Sequence, residues 1–460
     1  MEHFRTETDS LGDVQVPKNA LFGAQTQRAL NNFPISGIQM PTRFIHALAL
    51  IKRTAAISNN KLKLLDTSIT TAIVEACDSI LAGEHEEHFP VDIFQTGSGT
   101  SSNMNMNEVI ANLASKALNQ NIDPNDHVNM GQSSNDVVPT AIHVSAVLAL
   151  ITDLLPAMNH LEDCLIKKAE DLKSYVKTGR THLMDAMPIR LDQELIAWAF
   201  QLSQNSGQLN SLLPDLKSLA QGGTAVGTGI NSHPEFSDKF ITELNVISGV
   251  DFTRSQNLFA NISSQDTAVA LSGQLKTLAV TMTKISNDLR WMNSGPLSGL
   301  GEIQLESLQP GSSIMPGKVN PVIPEAMAMV AAQVIGNDST ITIAGQSGNF
   351  QLNVMLPVIA HNLIQSIELL SSSIRLMADK AISTFTVNEQ NIKHALARNP
   401  ILVTALNPII GYQKAAGIAK KAYESGEAII DVAQKETDID RQKLESLLDP
   451  LNLTQGGIKT

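Results

Sequence analysis

Apolar residues recur at helical spacing over three long stretches of this chain. The first runs through Val144, Leu148, Ile151, Leu155, Met158, Leu161, Leu165 and Leu172. It predicts a single helix of roughly 30 residues, bent but not ended by Pro156. The second is Leu195, Trp198, Leu202, Leu209, Leu213 and Leu216. The third is Leu271, Leu275, Leu278, Met282, Ile285, Leu289 and Met292, whose steps of four and three alternate as a heptad seam. Three such rods joined by Gly-rich turns predict a bundle. Rods of this length usually need partners beyond their own chain, so the third seam is read as a subunit interface, with an intrachain core as the alternative.

Around the rods the pattern is weaker. Residues 1 to about 40 read as irregular, interrupted by Pro17, Pro34 and Pro41. "FIHALALIKRTAAISNNKL" predicts a helix, and polar loops fill "HFPVDIFQTGSGTSSN" and "QNIDPNDHVNMGQSSNDVVP". A small helical unit follows from about residue 390. The expected fold is all-α: a central bundle of long helices (139–390) flanked by two smaller, mostly helical domains (1–138 and 391–460).

Composition narrows the function. Aromatic residues make up only 4%, too few for a β-sandwich or barrel. The net charge of −12, with no block of Lys and Arg, argues against nucleic acid and anionic membrane as partners. Any anionic substrate must be held by local groups. The two cysteines, Cys77 and Cys164, form neither a CxxC nor a Cys/His cluster, so neither a disulfide scaffold nor a metal site is expected. A reducing, cytoplasmic setting fits. The opening residues lack the apolar core of a leader, and no run reaches 18 apolar residues.

Candidate chemistry sits in polar loops. "QTGSGTSSN" offers Ser98, Thr100 and Asn103 beside Gly97 and Gly99, yet no P-loop Lys follows. "GQSSNDVVPT" offers Ser133, Ser134 and Asn135, which could equally cap the first rod. "GRTH" ends on Thr181 and His182, and a lone His is often structural. "HEEH" at 85–88 lacks the HExxH metal spacing, and "GGTAVGTGIN" lacks the preceding strand of a dinucleotide loop. "GSSIMPGKVNP", residues 311–321, is a mixture that neither helix nor strand tolerates. Its Lys318 and Asn320 suit a carboxylate, and Ser312 and Ser313 can reach a C–H bond or an oxyanion. Glu325 follows within one turn.

That loop resembles the signature of the fumarase/aspartase superfamily. "FGAQTQRAL", "QTGSGTSSNMNMNEVIAN", "QSSNDVVPTA", "GRTHLMDAMP", "GGTAVGTGIN", "SGPLSGLGEI", "QVIGND" and "VTALNPIIGY" extend the resemblance, in order, over nearly the whole chain. His182 and Gly317 are similar to the class II fumarases, where aspartases usually have Gln and Ala. The resemblance implies a cofactor-free, metal-free hydration of fumarate to L-malate, in a homotetramer whose active sites are shared between subunits. It implies that Ser312 takes the C3 proton of malate and that His182 acts through a water at the leaving hydroxyl, paired with Glu325. Ser98, Gly99, Thr100, Ser133, Ser134, Asn135, Thr181, Ser313, Lys318, Val319 and Asn320 would hold the substrate. Relatives carry a second anion site at a segment that here reads Asp123, Pro124, Asn125, Asp126; an acidic Asp123 should repel a carboxylate there. "RLDQE" also departs from the family at Asp192. The alternatives are aspartate ammonia-lyase and a catalytically silent scaffold on the same fold.

Overall fold

The computed structural model describes residues 4–458, which are predominantly helical. Residues 4–40 depart from the irregular reading, and residues 1–3 of that reading lie outside the described residues. Strands β1 (Phe4–Asp9) and β2 (Gly12–Pro17) form an antiparallel hairpin in register Phe4↔Pro17 to Asp9↔Gly12. Helix α1 (Ala24–Asn32) follows. The hairpin alternates exposed and half-buried residues, a period of two that its polar composition masks. Arg5 ties it down by donating to the carbonyls of Pro17, Ala20 and Phe22.

The chain divides into two compact units. The first comprises residues 1–156, 207–279 and 332–371; the second comprises 157–206, 280–331 and 372–460. The first unit holds α2 (Thr42–Lys61), α3 (Thr67–Leu81), α4 (Thr100–Leu118) and α5 (Ser134–Ala149). A π-type turn, Leu150–Leu154, joins α5 to α6 (Leu155–Leu172), giving one continuous helix of 39 residues, Ser134–Leu172. Pro156 has no N–H for the carbonyl a turn earlier, and the widened turn sits just before it. This helix is long and apolar enough to cross a membrane, yet 78% of its most apolar window is buried within the protein, as in a core helix.

The second unit contains a hairpin of β3 (Val176–Thr181) and β4 (Met184–Arg190), where sequence patterning gave no strands. Of the remaining helices, α8 (Phe236–Ser248) and α9 (Leu258–Ser263) belong to the first unit, and α7 (Leu191–Leu216), α10 (Asp266–Met292), α11 (Val322–Gly345) and α12 (Leu356–Met377) each run through parts of both. The C-terminal helices pack on their own core, which includes Leu402, Leu406, Ile418, Val432 and Leu444. Asp192 acquires a structural account: it holds the Arg190 guanidinium at 2.8 Å, and Arg190 and Gln193 reach Thr454 near the C-terminus.

The heptad seam corrects one expectation. Leu271, Leu275, Leu278, Met282, Ile285 and Leu289 are each 0% exposed within the single chain. The seam is therefore intrachain core, not a subunit interface; Ile359, Leu363, Ile367 and Leu370 of α12 are likewise buried within the chain. α11 behaves differently. It carries only two charged residues, Glu325 and Asp338, yet Met329, Ile335 and Ile343 on it are 68%, 38% and 57% exposed.

Leu278→Ala should cost about 2–5 kcal/mol, the range for deleting a fully buried leucine. Denaturant unfolding would measure it. A loss under about 1 kcal/mol would place the seam at a yielding surface instead.

Candidate active site

In the first unit, two polar loops meet. Gly99 adopts φ 73° before α4, and a Cβ there would come within 2.9 Å of Val138. Gly97 is tighter still: its Cβ would fall 1.8 Å from the Val354 carbonyl oxygen. These glycines let Ser98 and Thr100 sit 2.7 Å apart, hydroxyl to hydroxyl. Ser133 caps α5 in a capping box with Asp136, so the capping reading of this motif holds for Ser133. Ser134 Oγ accepts from Asn103 Nδ2 at 3.1 Å, and Asn135 Nδ2 donates to the Ala225 carbonyl at 2.8 Å. All three residues of this stretch are half-buried.

Two buried ionisable groups underlie this cluster, and neither stood out in the sequence. Asp136 is fully buried and accepts from the backbone N–H groups of Ser133, Gly222 and Thr224 at 2.9, 3.0 and 2.9 Å. Burial pushes its carboxyl up to about 6, partly offset by those donors. Lys52 on α2 is also fully buried, and its Nζ donates to Asn129 Oδ1 at 2.8 Å and to Gln132 Oε1 at 3.1 Å. Burial pulls its ammonium down to about 7. The Gly-rich 222–231 segment is thus a scaffold pinned by Asp136. Similarly, "FGAQTQRAL" supplies Gly23, Gln25 and Thr26 as donors to the buried Glu108 carboxylate.

In the second unit, the 311–321 loop contains no helix or strand, as its composition predicts. It closes on itself: Gly311 N–H donates to the Lys318 carbonyl at 2.8 Å, and Asn320 Nδ2 donates to the Gly311 carbonyl at 2.9 Å. Any Cβ at Gly311 would meet that Lys318 oxygen at 2.5 Å. Inside the loop, Ser312 Oγ accepts from the backbone N–H groups of Ile314 and Met315 at 3.2 and 3.1 Å. Two such donors favour negative charge on that oxygen. Ser313, Lys318 and Val319 are exposed. An open cavity of about 520 Å³ adjoins the loop, lined by Lys318, Val319, Asn320 and Glu325 together with Arg290, which patterning did not single out.

Thr181 and His182 lie at the exposed tip of the β3–β4 hairpin. His182 and Leu183 have φ of 56° and 61°, the two-residue left-handed turn that closes tight hairpins. Positive φ at two successive non-glycine residues is a local strain, the kind that clusters at functional sites. The expected His182–Glu325 pair is not made within one chain: among the described residues, His ion pairs involve His85, His88 and His160. His182 sits on an open hairpin tip, whereas Glu325 lies in the first turn of α11 beside Lys318. Ser98, Thr100 and Ser133–Asn135 belong to one unit; His182, Ser312, Lys318 and Asn320 belong to the other.

The second anion segment is occupied by its own chain. Asp123 Oδ1 accepts from the N–H groups of Asn125 and Asp126 at 2.7 and 2.9 Å, so the donors that open this turn already hold a carboxylate. Among the described residues, no three His, Cys, Asp or Glu side chains converge as a metal site requires.

Comparison with known proteins identifies the family. Residues 12–336 match the family described as Lyase, and residues 402–455 match the Fumarase C C-terminus. A Pseudomonas aeruginosa protein named fumarate hydratase class II 2 is 62% identical, with 100% of both chains covered. A Xylella fastidiosa fumarate hydratase class II is 56% identical, over 99% of this chain and 97% of that one. The crystal structure of class II fumarase from Schistosoma mansoni superposes with a TM-score of 0.95 at 37% identity, covering 98% of this chain and 99% of that one.

Leu183→Gly tests the strained turn. Glycine removes the left-handed penalty but adds chain entropy, so stability should rise slightly, by about 0.5–1 kcal/mol. A loss of stability in thermal unfolding would mean that the turn carries no strain.

Proposed function

The chain belongs to the class II fumarate hydratase family, and from that premise we infer its reaction: the reversible hydration of fumarate to L-malate. It is a carbon–oxygen hydro-lyase. The observation that carries the chemical reading is Ser312, whose Oγ faces two backbone N–H donors. A serine hydroxyl is a poor base at neutral pH. Donors aimed at its oxygen stabilise the alkoxide and so make it able to take the C3 proton of malate. Removing that proton leaves extra negative charge on the adjacent carboxylate. Lys318 and Asn320 would stabilise that charge, and Ser98, Thr100, Ser133, Ser134 and Asn135 would hold the other end of the dianion. His182 would act across the substrate, through a water, delivering a proton to the departing hydroxyl. His182 and Gly317 favour hydration over the aspartate ammonia-lyase reaction on the same fold. Asp123 fills the second anion site from within the chain, and we take that site to be closed to a carboxylate ligand.

These groups fall in separate compact units, and the 39-residue helix Ser134–Leu172 is roughly 58 Å long at 1.5 Å per residue. A shared site in a homotetramer accommodates this: each substrate would receive Ser133–Asn135, His182 and Ser312 from different chains. The exposed apolar face of α11 supports the same assembly, because a helix that is apolar all round is normally buried. The enzyme would act in the cytoplasm.

Two experiments test this reading. Co-refolding equal amounts of inactive His182→Asn and Ser312→Ala proteins should restore activity to about a quarter of wild type, because random assembly gives about a quarter of shared sites both wild-type groups. Fumarate absorbance, with malate or aspartate supplied in turn, is the readout. No recovery in proven mixed oligomers would put both residues on one chain. Separately, Ile335→Glu should lower the particle mass seen by light scattering and abolish turnover, since a charge would be buried in the α11 contact. An unchanged mass would remove α11 from the interface.

A further inference from the structure

Lys52 is a buried charged group of the first unit that the reaction as read above leaves unused. It is 0% exposed, in the interior of α2, and its ammonium contacts neutral amide oxygens. Enclosing an ammonium is unfavourable unless something compensates. A methionine would fill similar space without that cost, so packing alone does not account for a charge here.

Its contacts lead toward the substrate loop. Asn129 Oδ1 gathers three donors: Lys52 Nζ at 2.8 Å, Asn103 Nδ2 at 3.2 Å and Asn107 Nδ2 at 3.1 Å. The same Asn103 Nδ2 donates to Ser134 Oγ at 3.1 Å. Lys52 also holds Gln132, whose amide donates back to the carbonyls of Val128 and Met130. The ammonium therefore grips both ends of the turn 129–132 that delivers the chain into Ser133. Asp136, beyond Ser134, grips the far side through Ser133, Gly222 and Thr224.

We propose that Lys52 is a positioning residue for substrate binding: its ammonium orders Asn129 and Gln132, and through Asn103 it sets the direction of the Ser134 hydroxyl. The inference rests on the reading that Ser133, Ser134 and Asn135 hold a substrate carboxylate. Asn129 Oδ1 keeps two amide donors when the ammonium is removed, so the fold survives while the hydroxyl loses its fixed orientation.

The test is a double-mutant cycle on the full-length enzyme, with steady-state kinetics on fumarate and thermal unfolding of each variant. Lys52→Met should fold, raise KM about tenfold, and change kcat by less than about threefold, as expected for loss of one oriented hydrogen bond to bound substrate. Ser134→Ala should raise KM similarly. Added to Ser134→Ala, Lys52→Met should have no further effect on KM, because its influence runs through that hydroxyl. Asn129→Ser, which cuts the relay while leaving Lys52 in place, should reproduce the KM rise even if Lys52→Met does not fold. A KM rise for Ser134→Ala with normal KM in Asn129→Ser and Lys52→Met overturns the proposal and leaves the loop assignment standing. Strictly multiplicative KM effects in the double mutant overturn it too. If Ser134→Ala itself leaves KM unchanged, the loop assignment falls and the proposal falls with it.

Discussion

One buried carboxylate organises the first unit. Asp136 closes the capping box at the start of the 39-residue helix and, with its other oxygen, accepts from Gly222 and Thr224. Two segments about 85 residues apart in sequence are thereby fixed around three half-buried polar residues, Ser133 to Asn135. An acid there resists ionisation, since burial raises its pKa to about 6. Backbone donors oppose that rise, and the positive field of Lys52 acts in the same sense. The polar cluster is therefore held from beneath by groups with no access to solvent, which fixes its three half-buried residues.

Long helices then impose a second constraint. The heptad seam of α10 and most apolar positions of α12 are buried within the chain, whereas α11 leaves Met329, Ile335 and Ile343 open along its length. The heptad seam suggested an interface, yet it is spent on the intrachain core. On the proposed assembly the contact falls instead to α11, a helix with no strong periodicity, where apolar residues occur on several sides. Hydrophobic patterning finds the face a helix turns to its own core; a helix with two buried faces has no pattern to find.

The same logic separates the legible parts of the site from the illegible ones. Ser98, Ser133, Lys318 and the self-closed 311–321 loop were readable because Gly, Pro and clustered hydroxyls mark a backbone that cannot be regular. The β3–β4 hairpin was not, because its turn is His182–Leu183 and carries none of the glycine or asparagine that usually signals positive φ. Lys52 was hidden for a related reason. Within "FIHALALIKRTAAISNNKL" it reads as one basic residue on an amphipathic helix, and only the fold shows that it points inward to Asn129. The β1–β2 hairpin was masked by polar composition, although its alternation was present.

The two polar clusters, one in each unit, differ in kind. The first-unit cluster is half-buried and braced by internal charges. The Ser312 loop is largely open: Ile314 is 84% exposed and Leu297, in the neighbouring segment, is 97% exposed. Two backbone donors can stabilise an alkoxide at Ser312 only weakly while water competes for the same oxygen. Excluding that water strengthens each of those hydrogen bonds. On the shared-site reading, the partner subunits do more than contribute residues. By covering the loop they would exclude the water that competes for the Ser312 oxygen, and on that reading assembly and activation of the base are one event.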